Sequence, residues 1–249
     1  VVMPETAIPY LRQDIPNDEW QKISTHFSTG EKAIIVGIPT FEKDKGFGNS
    51  AIALKANADE YLYNKHHLVP FGEYVPPFFQ WFVRLMNMPL GDFAQDRPPS
   101  SVFKWQGQRL LPQICYEDLF GEEVASYFAK PEEAPTVLVN MSNLAWFDDT
   151  TAIAQHVAIS RMRAMEFERP IIRATNTGLT GWVDAQGALR EALPPFTRGA
   201  LVIEFEGRSG LTPYAQWTSR WGLAPLWWLC AAIVLVLGAF SRRSGTREL

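Results

Sequence analysis

The chain has 249 residues, 47% of them hydrophobic and 20% charged, with a formal net charge of −4. That balance excludes a disordered chain and leaves room for one large core or two small ones. No run of Lys and Arg precedes the C-terminus, which excludes nucleic acid as a partner, and the two cysteines, Cys115 and Cys230, are too differently placed for a disulfide.

The chain opens on VVMPET with neither an initiating Met nor a signal peptide, and reads as a C-terminal fragment that begins at the end of a strand. Pro4 breaks that strand and puts Glu5 at its C-terminal end, the edge where open α/β sheets gather their chemistry. Glu5 is thus a candidate general base, set against the commoner case of a solvated loop carboxylate. Asn17 to Phe27 suits an amphipathic helix capped by Asn17 or Asp18 and ended by Gly30. AIIVGIPTF, NSAIALKA and EYLYNK follow as consecutive strands of one sheet.

Lys65 ends the third of these strands, and the proline-bounded loop HHLVPFGEYVPP carries Glu73. A lysine at a strand end is usually solvated. If Lys65 shares the sheet edge with Glu5 and Cys115, its ammonium would hold the cysteine as thiolate and stabilise a tetrahedral oxyanion. His66 and His67 are adjacent, so their side chains diverge, and no metal site is expected from them. FFQWFVRLM, Phe78 to Met86, reads equally as a core-facing amphipathic helix or as an exposed apolar lid.

SVFKW and RLLPQIC form a strand pair that ends at Cys115, and the helix Leu119 to Phe128 follows directly behind Tyr116, Glu117 and Asp118. A cysteine at a strand end is most often a small core residue. Here it stands at a strand-to-helix turn beside free backbone N–H groups, which suits a nucleophile. TVLVNMSN is a buried strand, and Thr150 to Arg169 a helix stopped by Pro170, with Ile153, Val157, Met162 and Met165 as its buried stripe. Strands IIRATN and GLTGWVD precede GALVIEFE, which closes the domain, and this alternation argues for an α/β fold with paired strands. Between Arg220 and Arg242 no residue is charged, a length suited to a spanning helix. Trp217, Trp221, Trp227 and Trp228 stand at one end, and Arg242 and Arg243 place the tail in the cytoplasm.

A Glu after one strand, a Lys after another and a Cys at an elbow, in this order, resemble the trio of the nitrilase superfamily. MPETAIP, YNKHHLVPFGEYVP, ICYEDLF and RMRAMEFERPIIRATNTG are similar to the apolipoprotein N-acyltransferases over essentially the whole chain. The resemblance implies a nitrilase-like four-layer αββα sandwich followed by one C-terminal transmembrane helix. The catalytic domain would take residues 1–215, a juxtamembrane segment and membrane helix 216–241, and a cytoplasmic tail 242–249. A bundle of membrane helices and the domain's first strand would precede residue 1.

The same resemblance makes Cys115 the nucleophile, Glu5 the base and Lys65 the oxyanion stabiliser, supported by Glu73, Tyr116 and Glu117, with no cofactor and no metal. It implies a phospholipid acyl donor, a diacylated apolipoprotein acceptor, and a bacterial inner membrane with the catalytic domain on the periplasmic side. Trp146 and the aromatic residues Phe78, Phe79, Trp81 and Phe82 would contact the lipid substrates. SNLAWFDD departs from the family's Ser-Asn-Asp-Ala-Trp-Phe pattern at Leu144, and carries Asp148 where Gly is frequent. Two other readings are a membrane-tethered nitrilase-like amidase with water as acceptor and an inactive lipid- or lipoprotein-binding domain. The retained Glu, Lys and Cys argue against the second, and the apolar C-terminal run against the first.

Overall fold

The structure, a computed structural model, describes residues 1–76, 93–94 and 101–245, the last six as backbone alone. Phe78, Phe79, Trp81 and Phe82 lie outside the described residues. Strand alternation builds the centre. β1 (Ala33–Glu42), β2 (Gly46–Lys55) and β3 (Tyr61–Asn64) make an antiparallel sheet in that order. Because side chains alternate along a strand, Ile34, Val36 and Ile38 face one way and Ala33 and Ile35 the other. The first set joins Ile52, Leu54 and Trp20 of helix α1 (Asn17–Phe27) in an outer core.

The second set, with Ala51, Ala53 and Tyr63, meets Phe103, Leu110, Ile114, Val137, Val139 and Met141 of a second sheet. Alanines on the facing strands let the sheets lie close. The second sheet has six strands in the order β4 (Phe103–Trp105), β5 (Gln108–Ile114), β6 (Val137–Ser142), β7 (Ile171–Thr175), β8 (Thr180–Val183) and β9 (Leu189–Leu193). β5, β6 and β7 are parallel, and the flanking pairs are antiparallel. Its outer face, through Leu111, Leu138, Ile171 and Val183, packs under Val124, Ala125, Phe128, Ala164, Phe167 and Ala215. These belong to or adjoin α2 (Gly121–Ser126), α3 (Thr151–Phe167) and α4 (Pro213–Trp221). The layers are helix, sheet, sheet, helix, as expected.

Several elements differ from the expectation. α1 starts behind Pro16 with no side-chain cap, so neither Asn17 nor Asp18 serves. GALVIEFE forms no strand, and the sheet is closed by β9, whose exposed LREAL gives little apolar signal. In α3 the expected stripe is half wrong: Ile153 is buried, yet Met162 and Met165 are exposed. The buried face instead carries His156, Ser160 and Arg163 at helical spacing. His156 and Ser160 sit there because they meet a buried charge, Arg173 of β7, while Arg163 pairs with Glu166.

The Arg173 guanidinium donates to Ser160 Oγ and to the His156 carbonyl at 3.3 Å, and lies 3.9 Å from Asp118 Oδ2. Ser160 Oγ donates to the same Asp118 oxygen at 2.5 Å.

The apolar C-terminal run is not one helix. Gly222, at φ +55, ends α4, and Pro225 stands in the first turn of α5 (Ala224–Gly245), where its missing N–H costs nothing. Among the described residues no single helix is long and apolar enough to cross a membrane. Pro213–Trp221 and Ala224–Ala239 pass by length and composition only as a pair, bent by 81°. α4 buries Ala215 and Thr218, and the expected boundary after residue 215 falls inside it. α5 leaves Trp227, Trp228, Leu229, Val234 and Leu235 exposed.

Replacing Arg173 by Leu would leave the Asp118 carboxylate buried without its cation. Unfolding in urea should then show a loss of about 3–5 kcal/mol, since removing one member of a buried pair strands the other. A loss under about 1 kcal/mol would mean that the pair adds little beyond its own desolvation cost.

Candidate active site

Glu5, Lys65 and Cys115 lie in different parts of the chain, and the fold draws all three to one edge of the two facing sheets. The segment carrying Glu5 crosses β1 so closely that a Cβ on Gly37 would stand 2.7 Å from the Glu5 Cα. Only a glycine fits there. Met3 N–H donates to the Ile35 carbonyl and Ile8 N–H to the Gly37 carbonyl, which ties the crossing segment down on both sides.

Lys65 follows β3 directly. It is 1% exposed, and its ammonium donates to Glu73 Oε1 at 2.8 Å and lies 3.7 Å from Glu5 Oε1. Asn49 of β2 joins the two carboxylates by donating to Glu5 Oε1 at 2.6 Å and to Glu73 Oε1 at 2.8 Å. The backbone N–H of Asn143 donates to Glu5 Oε2 at 2.6 Å, and that of Val69 to Glu73 Oε2 at 2.8 Å. Each oxygen is therefore held, as burial of charge requires.

Cys115 stands directly after β5, at φ +58, the start of a 3-10 turn through Leu119. A left-handed cysteine is strained, and such strain gathers at functional sites. Glu117 holds the turn. Its Oε2 accepts from Ile114 N–H and the Tyr63 hydroxyl, each at 2.7 Å, and its Oε1 accepts from the backbone of His66 at 2.9 Å and His67 at 3.2 Å. Asn140 Nδ2 donates to the Cys115 carbonyl at 2.7 Å. Tyr116 donates its hydroxyl to the Leu68 carbonyl at 2.6 Å, and the Lys65 ammonium lies 5.6 Å from its ring centre.

The charges correct one expectation. Burial pushes the Cys115 thiol up to about 12, reinforced by Glu5 and Glu73, against which Lys65 pulls the other way. One ammonium facing two carboxylates leaves no surplus of positive charge for a thiolate, and the balance favours the thiol. Burial acts against the Lys65 charge too, but Glu5, Cys115 and Glu73 outweigh it and its pKa is raised. Burial raises Glu5 despite Lys65, which makes its carboxylate more basic than an ordinary one. The cluster thus holds a thiol hydrogen, a base to take it and a fixed ammonium.

The remaining residues fall at the rim. Trp146 is 84% exposed and Phe147 is also exposed, just past the Asn143 that holds Glu5. Leu144 is buried against Gly178, filling the place expected to be polar. Asp148 has φ +48 and ψ −158, a conformation that favours glycine. His66 and His67 face Glu117 and Glu123. Asn49, Asn140 and Asn143 were not singled out from the sequence, although Asn49 and Asn140 are polar residues inside apolar strands, the one signal available for them.

Two facing sheets, outer helices and a Glu, Lys and Cys at one edge define a class, and the sequence matches it: the carbon-nitrogen hydrolase family model covers residues 1–212. The chain belongs to that family. Within it, the chain is 49% identical over 232 residues to an apolipoprotein N-acyltransferase of Verminephrobacter eiseniae, covering 90% of this chain and 43% of that protein. It is 46% identical over 244 residues to an apolipoprotein N-acyltransferase of Ralstonia nicotianae, covering 98% and 46%. The chain spans less than half the length of these relatives.

Among solved structures, a carbon-nitrogen hydrolase superfamily protein of Xanthomonas campestris superposes with a TM-score of 0.57 at 16% identity, over 90% of this chain and 82% of that one. A carbon-nitrogen hydrolase of Helicobacter pylori gives 0.55 at 15%, over 78% and 73%. At that identity the likeness speaks to the fold.

Gly37→Ala should push the Glu5 segment off β1 and separate base from thiol. Alkylation of Cys115 by iodoacetamide at neutral pH should slow by roughly a hundredfold, the usual cost of a misplacement near 1 Å, while circular dichroism stays native. An unchanged rate would show that Glu5 does not assist the thiol.

Proposed function

We propose that this protein transfers an acyl chain from a phospholipid, through a thioester on Cys115, to the N-terminal amine of a diacylglyceryl-cysteine apolipoprotein. The observation that carries the proposal is the buried cluster of Glu5, Lys65 and Cys115, set in a chain nearly half identical to a protein named for that reaction. Glu5 takes the thiol proton as sulfur attacks the ester carbonyl, and Lys65 faces the oxyanion that forms. Collapse breaks the acyl–oxygen bond, Glu5 returns its proton to the leaving alkoxide, and a lysophospholipid departs. The acceptor amine then attacks the thioester, passes a proton to Glu5, and the thiol is restored.

Glu73 and Asn49 hold Lys65 and Glu5 in register, Glu117 and Tyr116 fix the turn, and Trp146, with Phe78, Phe79, Trp81 and Phe82, meets the acyl chains. α5 enters the bacterial inner membrane with Trp227 and Trp228 at the interface and Arg242 and Arg243 at the cytoplasmic end. The exposed apolar side chains of α5 support its contact with the bilayer, and in this reading the catalytic domain lies on the periplasmic side. A site held beside the bilayer keeps water from the thioester until the lipidated amine arrives.

Incubated with acyl-labelled phospholipid and no acceptor, the protein in vesicles should accumulate a hydroxylamine-sensitive adduct on Cys115. Cys115→Ala should abolish it, and Lys65→Ala should slow it by ~100-fold or more, the scale of losing one oxyanion donor. Steady hydrolysis of a simple soluble amide with no acyl adduct would replace this reading with the amidase.

A further inference from the structure

His66 and His67, the two residues after Lys65, are bound to α2 by a carboxylate outside the site described above. His66 Nδ1 lies 2.9 Å from Glu117 Oε1, and Nε2 lies 2.7 Å from Glu123 Oε2. A neutral imidazole offers one N–H and one lone pair, so with a carboxylate oxygen at each nitrogen only the imidazolium satisfies both. Glu123 Oε1 takes His67 Nδ1 at 2.8 Å, and the His67 ring stacks on Phe120 at 3.5 Å between centres. The groups facing His66 are Glu117 from the turn, Glu123 from α2, the Tyr63 hydroxyl from β3 at 3.3 Å, and His67 from its own loop. Burial works against the His66 charge, but hydrogen bonds to Glu117 and Glu123 outweigh it and lift the pKa to about 9.

We propose that Glu123, acting through a protonated His66, is a positioning residue: the imidazolium bridges α2 to Glu117 and locks the backbone that carries Lys65 against the turn that carries Cys115. Glu117 already receives the peptide N–H groups of both histidines and of Ile114, so it links the end of β3 to the end of β5. Those two strand ends hold the ammonium and the thiol. With His66 neutral, one of its nitrogens would present a lone pair to a carboxylate, and repulsion would loosen the link on one side. A raised pKa makes the bridge complete below the ordinary value of 6.5 and lost as pH rises through about 9.

The proposal rests on Cys115 being the reactive thiol, and its test is chosen to stand without phospholipid. Alkylation of Cys115 by iodoacetamide is followed against pH in the wild type, Glu123→Gln and His66→Gln, all in detergent. The ratio of variant to wild-type rate at each pH cancels the thiol's own ionisation. For Glu123→Gln that ratio should stand near one at ~pH 6, where Glu117 alone keeps His66 charged, fall about tenfold near pH 8, and return toward one above ~pH 10, where the wild type has also lost the charge.

His66→Gln cannot titrate and should show the same reduction near pH 8, with Glu123→Gln adding nothing in the double variant. A ratio that is flat from pH 6 to 10, or a double variant that loses the product of the two effects, would overturn the proposal. A wild type that alkylates in this pattern yet never forms an acyl adduct would sink the acyl-transfer reading and leave the positioning role standing.

Discussion

The ammonium of Lys65, shared between the carboxylates of Glu5 and Glu73 in a largely buried site, is the interaction on which the rest depends. A cation 1% exposed survives only because opposite charge lies within a few ångströms, where attraction in a poorly polarisable interior is many times that in water. The carboxylates are held in turn by Asn49 and by two peptide N–H groups, so none of the three charges can relax away from the others. Burial and two negative charges against one positive charge push the Cys115 pKa up. Reactivity would then come from proton transfer to Glu5 at the moment of attack.

The fold supplies this arrangement through strand ends. β5, β6 and β7 run parallel, so their C-terminal ends open on the same side and bring Cys115 and the loop of Asn143 together. The first sheet contributes Lys65 from the end of β3 and lets the Glu5 segment pass over β1 at Gly37. Behind the turn, the Arg173 cluster sets a charged and hydrogen-bonded floor under the helix side of the second sheet. In front, the exposed Trp146 and Phe147 mark the way in.

Much of this was legible in the sequence, for physical reasons that differ from element to element. β1, β2, β5 and β6 were plain because short apolar runs bounded by turn signals have few other uses, and α1 was found over Asn17–Phe27. Lys65 and Cys115 stood out because each follows a strand, whereas Glu5, expected at a strand end, follows only an isolated bridge at Val2. The α3 stripe failed because apolar periodicity assumes an apolar partner, and Arg173 on the facing strand asks for Ser160 and His156 instead. β9 was missed because an edge strand with four exposed positions carries no apolar pattern. The C-terminal run was read without the turn at Gly222, which hydropathy does not register, so α5 starts only at Ala224.

The thiolate expectation counted the lysine but not burial or the second carboxylate, both of which push the Cys115 pKa up. A sequence gives the residues near a cysteine, whereas its ionisation depends on the sum of charge and burial around it. The resting state of Cys115 is therefore the most direct measure of the account. The thiolate absorbs near 240 nm, and the difference between wild type and Cys115→Ala, followed against pH, isolates this one sulfur. The account expects no thiolate at neutral pH and a rise only far into the alkaline range, toward about 12. A full thiolate signal at neutral pH would contradict it, because Lys65 would then be shown to outweigh Glu5, Glu73 and burial together.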